Sequence, residues 1–319
     1  MFLKTVKPAQ RARVSSIQRT LNANLLEPRN IEEDILSTSI LEEKQRELKM
    51  HLTDYCRANK HKRGLPSLSR FQVIESPPIV FCMVPKVASR MWRAIFKQLR
   101  LHIEQQRANL DQYNATDICH YLVKSYKFMF VREPFERLLS AYKDKFVSTR
   151  AVDRYILDTY GRNIIRKYRP NATQQALQDG NDVTFPEFIE YILKDGIHEG
   201  LNWHWNTFED QCRPCSVEYN FIGRFEYLSQ DAKYALKKAG VYNLTHDQFP
   251  STINNNYSRT RYELIKYYSQ IPLEWIVQLG RVYRSSFEMF GYPFPGPLEE
   301  LFHNTTGQTG ITGKTGQSG

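Results

Sequence analysis

The sequence lacks any apolar run long enough to cross a membrane, since a spanning helix needs ~18 residues of low polarity. The first 26 residues, MFLKTVKPAQRARVSSIQRTLNANLL, also contain no apolar core of a signal peptide. Their Arg, Lys and Ser content resembles a transit peptide only slightly. We therefore expect either a cytosolic protein or one whose N-terminal membrane anchor is not visible in this sequence.

Cysteine is scarce, with five residues in 319, which is too few for a disulfide scaffold and leaves at least one unpaired within the chain. The five are Cys56, Cys82, Cys119, Cys212 and Cys215. The CRPC segment at the last two could be a zinc half-site or a redox pair, but no second CxxC or nearby His pair accompanies it. We expect no metal, and a structural disulfide between Cys212 and Cys215, as an oxidising lumen allows.

A glycine-rich phosphate loop of the Walker type is also missing. Gly313-Lys314-Thr315 has the right ending, but the earlier glycine falls at 307 or 310 and not at the required 308. The surrounding segment is low in complexity, with no strand before it. This excludes a P-loop ATPase and indicates a flexible tail over 296–319.

Acidic residues are outnumbered: 44 Lys and Arg oppose 34 Asp and Glu, which gives a net charge of +10. Such a chain favours an acidic partner, for which nucleic acid, an anionic polysaccharide and a membrane surface are the physical options. The sequence has none of the combined aromatic and basic motifs of known nucleic-acid modules. We therefore expect no nucleic-acid partner.

Sequons for N-glycosylation are more frequent than chance would supply, and they favour a lumenal protein. Such sites are used only when a chain enters the secretory pathway. The acceptor asparagines would be Asn114, Asn171, Asn243, Asn256 and Asn304.

Two strand-to-helix turns dominate what the sequence does contain. IVFCMVPKVASRMW (79–92) and FMFVREPFERLLSAY (128–142) each begin as an apolar run, stop at a turn with proline and a basic residue, and continue as an amphipathic stretch. A helix N-terminus offers free N–H groups and a positive dipole end, to which Lys86 and Arg132 add full charge. The pair predicts a site for an anion with two phosphate-like ends.

The order of patterns predicts an α/β fold, a parallel sheet of about four or five strands flanked by helices, with a helical C-terminal half. Residues 1–55 are expected to be a disordered N-terminus and a stem helix, followed by a catalytic domain over 56–295. Thr184 to Glu187 reads as a capping box, and 219–223 as a short strand. Helices are expected from Ser229, as N-cap, to Gly240 and over 273–290.

These segments resemble a known family. PKVASRMW is similar to the 5′-phosphosulfate loop, and FVREPFERLLSAY to the 3′-phosphate motif, of the Golgi carbohydrate sulfotransferases, which use 3′-phosphoadenosine 5′-phosphosulfate (PAPS). YGRNIIRKYRPNATQQAL, NWHWNTFEDQCRPCSVEYNFIGRFEYLSQDA and FEMFGY resemble the chondroitin 4-O-sulfotransferase branch. The similarity runs in blocks from Cys56 to Pro293.

The resemblance implies a sulfotransferase fold and a PAPS site. Lys86 would neutralise the 5′-phosphosulfate and the charge that builds on the leaving oxygen, while Arg132 and Ser140 would converge on the 3′-phosphate. Arg137 is expected to be a structural ion-pairing residue. The expected PAPS-binding set is Pro85, Lys86, Val87, Ala88, Ser89, Arg90, Arg132, Ser140 and Arg259.

One departure from the family pattern concerns the end of the first loop. Where the family usually has a threonine, this chain has Arg90, followed by Met91, so a hydroxyl expected there is absent. Ser89 or the Arg90 guanidinium could contact the phosphate instead. The alternative is a catalytically inactive protein of the same fold that binds glycosaminoglycan.

Transfer to a sugar hydroxyl needs a general base near the acceptor, because such a hydroxyl is a very weak acid. His204, within NWHWN, and His120 are the candidates, with a carboxylate such as Glu133 ranked below them. Either histidine could instead be a packed core residue.

The resulting expectation is transfer of sulfuryl from PAPS to a glycosaminoglycan, at position 4 of N-acetylgalactosamine in chondroitin or dermatan. The resemblance places such a protein in the Golgi lumen, or in the Golgi membrane as a type II protein if an N-terminal anchor is missing. Membrane attachment is expected only through such an anchor.

Overall fold

The computed structural model describes residues 28–104, 107–148, 153–245 and 257–306. The chain divides after Glu47 into two units, of which the second begins at Leu48. The stem helix expected near residue 31 is present as α1, Pro28–Ala58, while the expected disorder of the N-terminus concerns residues outside the described ranges. Within those ranges, no helix combines the length and apolar character that a membrane crossing requires.

A four-stranded sheet forms the centre of the second unit, in the order β1-β2-β3-β4. Its strands are β1 (Phe71–Ile74), β2 (Ile79–Cys82), β3 (Tyr126–Val131) and β4 (Phe221–Arg224). β2, β3 and β4 run parallel, as the sequence predicts, but β1 is antiparallel to β2 and makes the sheet mixed. Because β1 and β2 are joined by residues 75–78 alone, the chain has no room for a parallel crossover.

The parallel strands are apolar because helices cover both faces of the sheet. All four residues of β2 are buried, and so are five of the six residues of β3. Phe81 packs against Phe128 and Trp92, with ring centroids 4.7 and 4.9 Å away. Trp92 opens an apolar stripe on the following helix that continues through Ile95 and Leu99, the spacing that faces a helix toward a core.

Helices account for most of the remaining described residues. In chain order after α1 they are α2 (Ser89–His102), α3 (Ala115–Lys124), α4 (Pro134–Tyr142), α5 (Arg154–Ile156), α6 (Arg162–Tyr168), α7 (Gln174–Asp179), α8 (Phe185–Tyr191), α9 (Ile197–Glu199), α10 (Phe208–Cys212), α11 (Leu228–Lys238), α12 (Tyr257–Tyr268), α13 (Leu273–Val282), α14 (Arg284–Glu288) and α15 (Glu299–Thr306). The predicted helical C-terminal half is confirmed.

Helix boundaries agree with the sequence at α8 and differ from it at α11. The predicted capping box is present, since Thr184 and Glu187 satisfy each other's backbone N–H groups at the start of α8. Ser229 is not an N-cap: α11 begins at Leu228, with Tyr227 as its cap. A 3₁₀ turn over Phe225–Tyr227 runs directly into the helix, so no extended residue is left for a cap.

The helix predicted over 273–290 is interrupted at Tyr283, which separates α13 from α14. Tyr283 is buried and donates its hydroxyl to the Trp205 carbonyl at 2.6 Å, which anchors the chain at the break. Residues 296–306, assigned to a flexible tail, instead form a 3₁₀ turn and α15, with Leu298 fully buried. Residues 307–319 lie outside the described ranges.

The cysteine pairing differs from the prediction. Cys212 bonds to Cys82 and Cys215 to Cys56, so the expected Cys212–Cys215 disulfide is wrong. Arg213 adopts a left-handed conformation with φ 46° directly after α10, which turns the chain and leaves Cys212 buried while Cys215 is only partly covered. Cys119 is free and exposed.

Three of the predicted sequon asparagines have described side chains, and all are exposed: Asn114, Asn171 and Asn243. Asn114 also caps α3, because its side chain accepts the Asp117 N–H at 2.9 Å. The side chains of Asn256 and Asn304 lie outside the described residues.

Candidate active site

The three parallel strands end at one edge of the sheet, where ligands of α/β proteins commonly bind. Lys86 comes after β2, Arg132 after β3 and Phe225 after β4. Together they border a cavity of about 400 Å³, here named the strand-end cavity. Its lining residues are Pro85, Lys86, Ala88, Ser89, Arg90, Arg93, Arg132, Ser140, Asp144, Lys145, Trp203, His204 and Phe225.

The loop before α2 has the backbone form of an anion nest. Lys86 and Ala88 have positive φ angles of 71° and 63°, a conformation that costs a residue with a Cβ roughly 1–2 kcal/mol. Successive N–H groups converge when backbone handedness alternates in this way. Ala88 is also the N-cap of α2 and provides no side-chain cap, so the first N–H groups of the helix remain available to a phosphate-like anion.

Lys86 lies inside the cavity as a partly buried cation. Its side chain is 15% exposed, and Nζ lies 3.2 Å from an Asp144 carboxylate oxygen. Burial lowers the pKa of Lys86, Asp144 opposes that effect, and the nearby charges of Lys145 and Arg132 reinforce it. An anion in the cavity would therefore relieve a real electrostatic strain on Lys86.

Asp144 forms ion pairs with several cations of the cavity. Besides Lys86, Arg90 lies 3.3 Å and Lys145 3.7 Å from its oxygens. Burial alone would raise the pKa of Asp144, but the Lys86 ammonium, followed by Lys145 and Arg90, holds it below its usual range. Lys145 is in turn held by Asp153 at 2.7 Å. Asp144 and Lys145 line the strand-end cavity without having been predicted from the sequence.

Arg132 is fixed by three contacts. Its Nε and Nη2 both donate to a Glu136 oxygen at 3.2 Å, and Nη1 donates to the Lys86 carbonyl at 3.4 Å. The guanidinium also stacks on Phe225, 4.2 Å from the ring centroid. Arg132 thus pairs with Glu136 within its own turn and still lines the cavity, as Ser140 does.

Most of the predicted PAPS-binding set comes together in the strand-end cavity. Val87 is the exception among the described side chains, because it is fully buried in the core and only its backbone could contribute. The side chain of Arg259 lies outside the described residues. Arg93, Trp203 and Phe225 line the cavity without having been predicted. The signal for Phe225 was its position just after the strand predicted at 219–223, at the same sheet edge as Lys86 and Arg132.

His204 is the predicted base that reaches this cavity. Its ring stacks on Trp203 with centroids 3.9 Å apart, and its Nδ1 has no hydrogen-bond partner among the described residues. Burial, followed by the charge of Lys145, lowers the pKa of His204 to about 3. The imidazole is therefore neutral at physiological pH, which is the form a general base must have.

The other two candidate bases lie elsewhere. His120 is exposed on α3, which precedes the amino end of β3, whereas the cavity lies at the carboxyl ends of the strands. Glu133 is buried and accepts the Glu136 N–H at 2.7 Å as the N-cap of α4. Burial raises the pKa of Glu133 to about 8. Neither residue lines the strand-end cavity.

Arg137 supports the site from behind. It is 3% exposed and donates to the Pro85 carbonyl at 3.2 Å and to the Asn206 carbonyl at 2.7 Å. The predicted ion pair does not form among the described residues, because these hydrogen-bond partners are carbonyls and not carboxylates, and Arg137 does not line the cavity. The residue thereby links the Lys86 loop to the segment that carries His204.

Comparison with known proteins identifies the family of the chain. Residues 69–293 match the Sulfotransferase family. The chain belongs to the sulfotransferase family. No solved structure is similar enough to this sulfotransferase to count as a match.

Curated relatives of the sulfotransferase carry carbohydrate in their names. Carbohydrate sulfotransferase 11 of Rattus norvegicus is 35% identical, over 84% of this chain and 81% of its own length. Carbohydrate sulfotransferase 14 of Danio rerio is 35% identical over 73% and 65%, and Carbohydrate sulfotransferase 8 of Mus musculus 30% identical over 80% and 65%. The resemblance to carbohydrate sulfotransferases that was drawn from the motifs is confirmed.

Membership of the family implies PAPS as the donor, and the residues of the strand-end cavity fit it. The nest of Lys86 and Ala88 suits a phosphosulfate, and Arg132 with Ser140 offers a guanidinium and a hydroxyl to a second phosphate. When bound, PAPS supplies the sulfuryl group. Among the described residues no cluster of three or more His, Cys, Asp or Glu side chains could hold a metal ion.

Proposed function

We propose that this sulfotransferase transfers sulfuryl to a hydroxyl of a glycosaminoglycan, at position 4 of N-acetylgalactosamine in chondroitin or dermatan. The observation that carries the proposal is the meeting of Lys86, Arg132 and His204 in one cavity. The choice of acceptor is supported by the sequence blocks that resemble the chondroitin branch and by the net charge of +10, which suits a polymer with a uronate in every disaccharide.

The mechanism assigns a separate task to each side of the cavity. Lys86 and the N–H groups at the start of α2 stabilise negative charge that develops on the leaving phosphate oxygen. His204 accepts the proton of the attacking sugar hydroxyl, which must lie in line with the bond that breaks. Burial, followed by the charge of Lys145, lowers the pKa of His204, so the imidazole is neutral and can accept that proton.

Arg90 bears on the alternative of an inactive protein that only binds glycosaminoglycan. Its side chain is 77% exposed and lies 3.3 Å from Asp144, so it adds a cation to the mouth of the cavity. The positive φ angles of Lys86 and Ala88 belong to the backbone and do not require a hydroxyl at position 90. These features support an active loop.

The acceptor is tested by incubating the purified protein with labelled PAPS and a panel of chemically desulfated polymers. Chondroitin and dermatan should be labelled most, heparosan less, and neutral oligosaccharides least. Preference for a neutral oligosaccharide would refute the proposed acceptor. Binding of PAPS and chondroitin without transfer would establish the inactive alternative.

The roles within the site are tested in the same assay with three variants. Lys86→Ala should lower transfer by at least about 100-fold. His204→Gln should keep the affinity for the desulfated nucleotide while turnover falls by about 10² to 10⁴, and His120→Gln is the matched control that should change neither. Loss of turnover in the His120 variant with normal turnover in the His204 variant would reverse the assignment of the base.

We further propose that the enzyme works in the Golgi lumen, attached to the membrane, if at all, through an N-terminal anchor. The two disulfides and the exposed sequon residues Asn114, Asn171 and Asn243 support an oxidising, glycosylating compartment. A shift in electrophoretic mobility after glycosidase treatment of the cell-expressed protein checks this. An unchanged mobility would count against it.

A further inference from the structure

A second cavity, larger than the first, lies beside the segment that carries His204. It has a volume of about 610 Å³ and is here named the Tyr160 cavity. Four of its lining residues come from the YGRNIIRKYRP block, to which the transfer chemistry gives no task. The lining consists of Thr159, Tyr160, Asn163, Arg166, Lys167, Tyr191, Asp195, Glu199 and Gly200.

Arg166 supplies the cavity with an available positive charge. The side chain is exposed, and its hydrogen-bond partner in the described ranges is the neutral Asn163 amide oxygen at 2.9 Å. Lys167 differs, because it forms an ion pair with Asp195. Asp195 also accepts the Tyr168 hydroxyl at 2.7 Å. The guanidinium of Arg166 can thus make a bidentate contact with a carboxylate, for which its fork geometry is suited.

The rest of the cavity matches a sugar more closely than a compact anion. The rings of Tyr160 and Tyr191 lie 6.0 Å apart at 67° and give one wall an aromatic surface with polar tips. Asp195 and Glu199 offer carboxylate oxygens to hydroxyl groups. Because Lys167 is already paired with Asp195, Arg166 is the lining cation that can bind a ligand carboxylate, and the site would take a ligand with several hydroxyls and one carboxylate.

The Tyr160 cavity is connected to the strand-end cavity through residues 202–205. Asn202 donates to the Tyr160 hydroxyl at 3.2 Å, and the Trp205 ring lies 5.2 Å from the Tyr160 ring. Between them in sequence, Trp203 and His204 line the strand-end cavity. One short segment therefore lines the strand-end cavity with Trp203 and His204 and contacts Tyr160 of the second cavity.

We propose that the Tyr160 cavity is a subsite for the acceptor chain, which binds a uronate-bearing sugar displaced from the one that receives sulfuryl. Arg166 binds the uronate carboxylate, and the tyrosines contact the ring and its hydroxyls. This rests on the proposed function, since it presumes an acidic carbohydrate polymer as acceptor.

The test compares a long and a short acceptor in Arg166→Ala. With desulfated chondroitin polymer, KM for the acceptor should rise about tenfold, the effect of losing one charge-assisted contact, while kcat and KM for PAPS stay unchanged. A chondroitin disaccharide, too short to occupy both cavities, should be sulfated equally by variant and wild type. Arg166→Lys should restore part of the affinity, and Arg281→Ala, an exposed helical arginine that lines neither cavity, should match wild type.

The outcomes separate this inference from the proposed function. Wild-type KM for the polymer in Arg166→Ala would overturn the subsite and leave the proposed function intact. An equal rise in KM for polymer, disaccharide and PAPS would also overturn it, because that pattern reports a structural defect. If the wild-type protein sulfates no acidic polymer, the proposed function fails and the subsite fails with it.

Discussion

Asp144 determines how the individual residues of the strand-end cavity share their charge. Its carboxylate oxygens lie 3.2 Å from Lys86 and 3.3 Å from Arg90. The negative charge of Asp144 therefore offsets the repulsion between these two cations. The same carboxylate competes with a phosphosulfate for those cations. We therefore expect an anion in the cavity to replace Asp144 as the partner of these cations.

Glu133 gives a prediction at the level of one residue. Burial raises its pKa to about 8, above the ordinary 4.5, so its neutral form stabilises the fold fully below the unfolded pKa and this contribution is lost as pH rises through 8. Glu133→Gln mimics the neutral form and can still accept the Glu136 N–H. Between pH 6 and pH 9 the wild type should lose roughly 2 kcal/mol of stability relative to this variant.

Urea unfolding of both proteins at the two pH values measures this difference directly. The comparison between variants cancels the titration of all other groups. Parallel pH profiles would show that Glu133 ionises normally in the folded state.

Some of the predicted residues that line the strand-end cavity could be placed from the strand pattern alone, whereas others, such as Ser140, came from the resemblance of the motif. Lys86 and Arg132 come after apolar runs, and the carboxyl ends of parallel strands share an edge, so their meeting could be inferred. Asp144 and Lys145 were not predicted as cavity residues because they lie in a π-helical turn over Lys143–Val147 after α4. Such a turn changes the angle between successive side chains, so helical spacing from Ser140 did not indicate which of them faces the cavity.

At the scale of elements, Thr184 and Ser229 allow the contribution of an N-cap to be measured. The sequence predicts a cap at both residues, and of the two only Thr184 is one in the structure. The Thr184 side chain accepts the Glu187 N–H at 3.4 Å, and Glu187 accepts the Thr184 N–H at 2.8 Å. Thr184→Ala should therefore cost about 1 kcal/mol of unfolding free energy. Ser229→Ala, at an exposed position within the first turn of α11, should stay within about 0.5 kcal/mol of wild type.

Chemical denaturation of the two alanine variants checks the pair. A larger loss in the Ser229 variant would contradict the observed helix start at Leu228. The two sites look alike in sequence, because each is a hydroxyl residue at the start of a helix-like stretch. They differ because Leu228 is buried and fixed by the preceding 3₁₀ turn. The start of α11 therefore depends on packing in the core, which the local sequence pattern does not reveal.

At the scale of the whole molecule, the Cys82–Cys212 disulfide connects distant parts of one core. Both residues are fully buried, and they are 130 positions apart in sequence. Replacing both with alanine should lower the free energy of unfolding by about 3–5 kcal/mol, because a long loop is no longer closed in the unfolded chain. Cys119→Ala, at a free and exposed site, is the control and should leave stability unchanged.

Urea unfolding midpoints give the comparison, with the reduced wild type as a further sample. Unchanged stability of the double variant would mean that the bond contributes nothing to the free energy of unfolding beyond what the core packing already provides. The pairing itself could not be predicted from sequence, since the four bonded cysteines allow several connectivities. The parallel arrangement of β2 and β3 could be predicted because each apolar run is followed by a helix-like stretch, whereas β1, which is as short as β2 and contains the polar Gln72, pairs antiparallel with β2.

The Cys82–Cys212 bond also joins two segments that meet at the strand-end cavity. Cys82 ends β2 four positions before Lys86, and Cys212 ends α10 eight positions after His204. The bond therefore connects the Lys86 loop to the segment that carries His204. In a newly synthesised chain these two segments have no covalent link other than the backbone until the thiols are oxidised, so the oxidation that closes the core also fixes two walls of the cavity relative to each other.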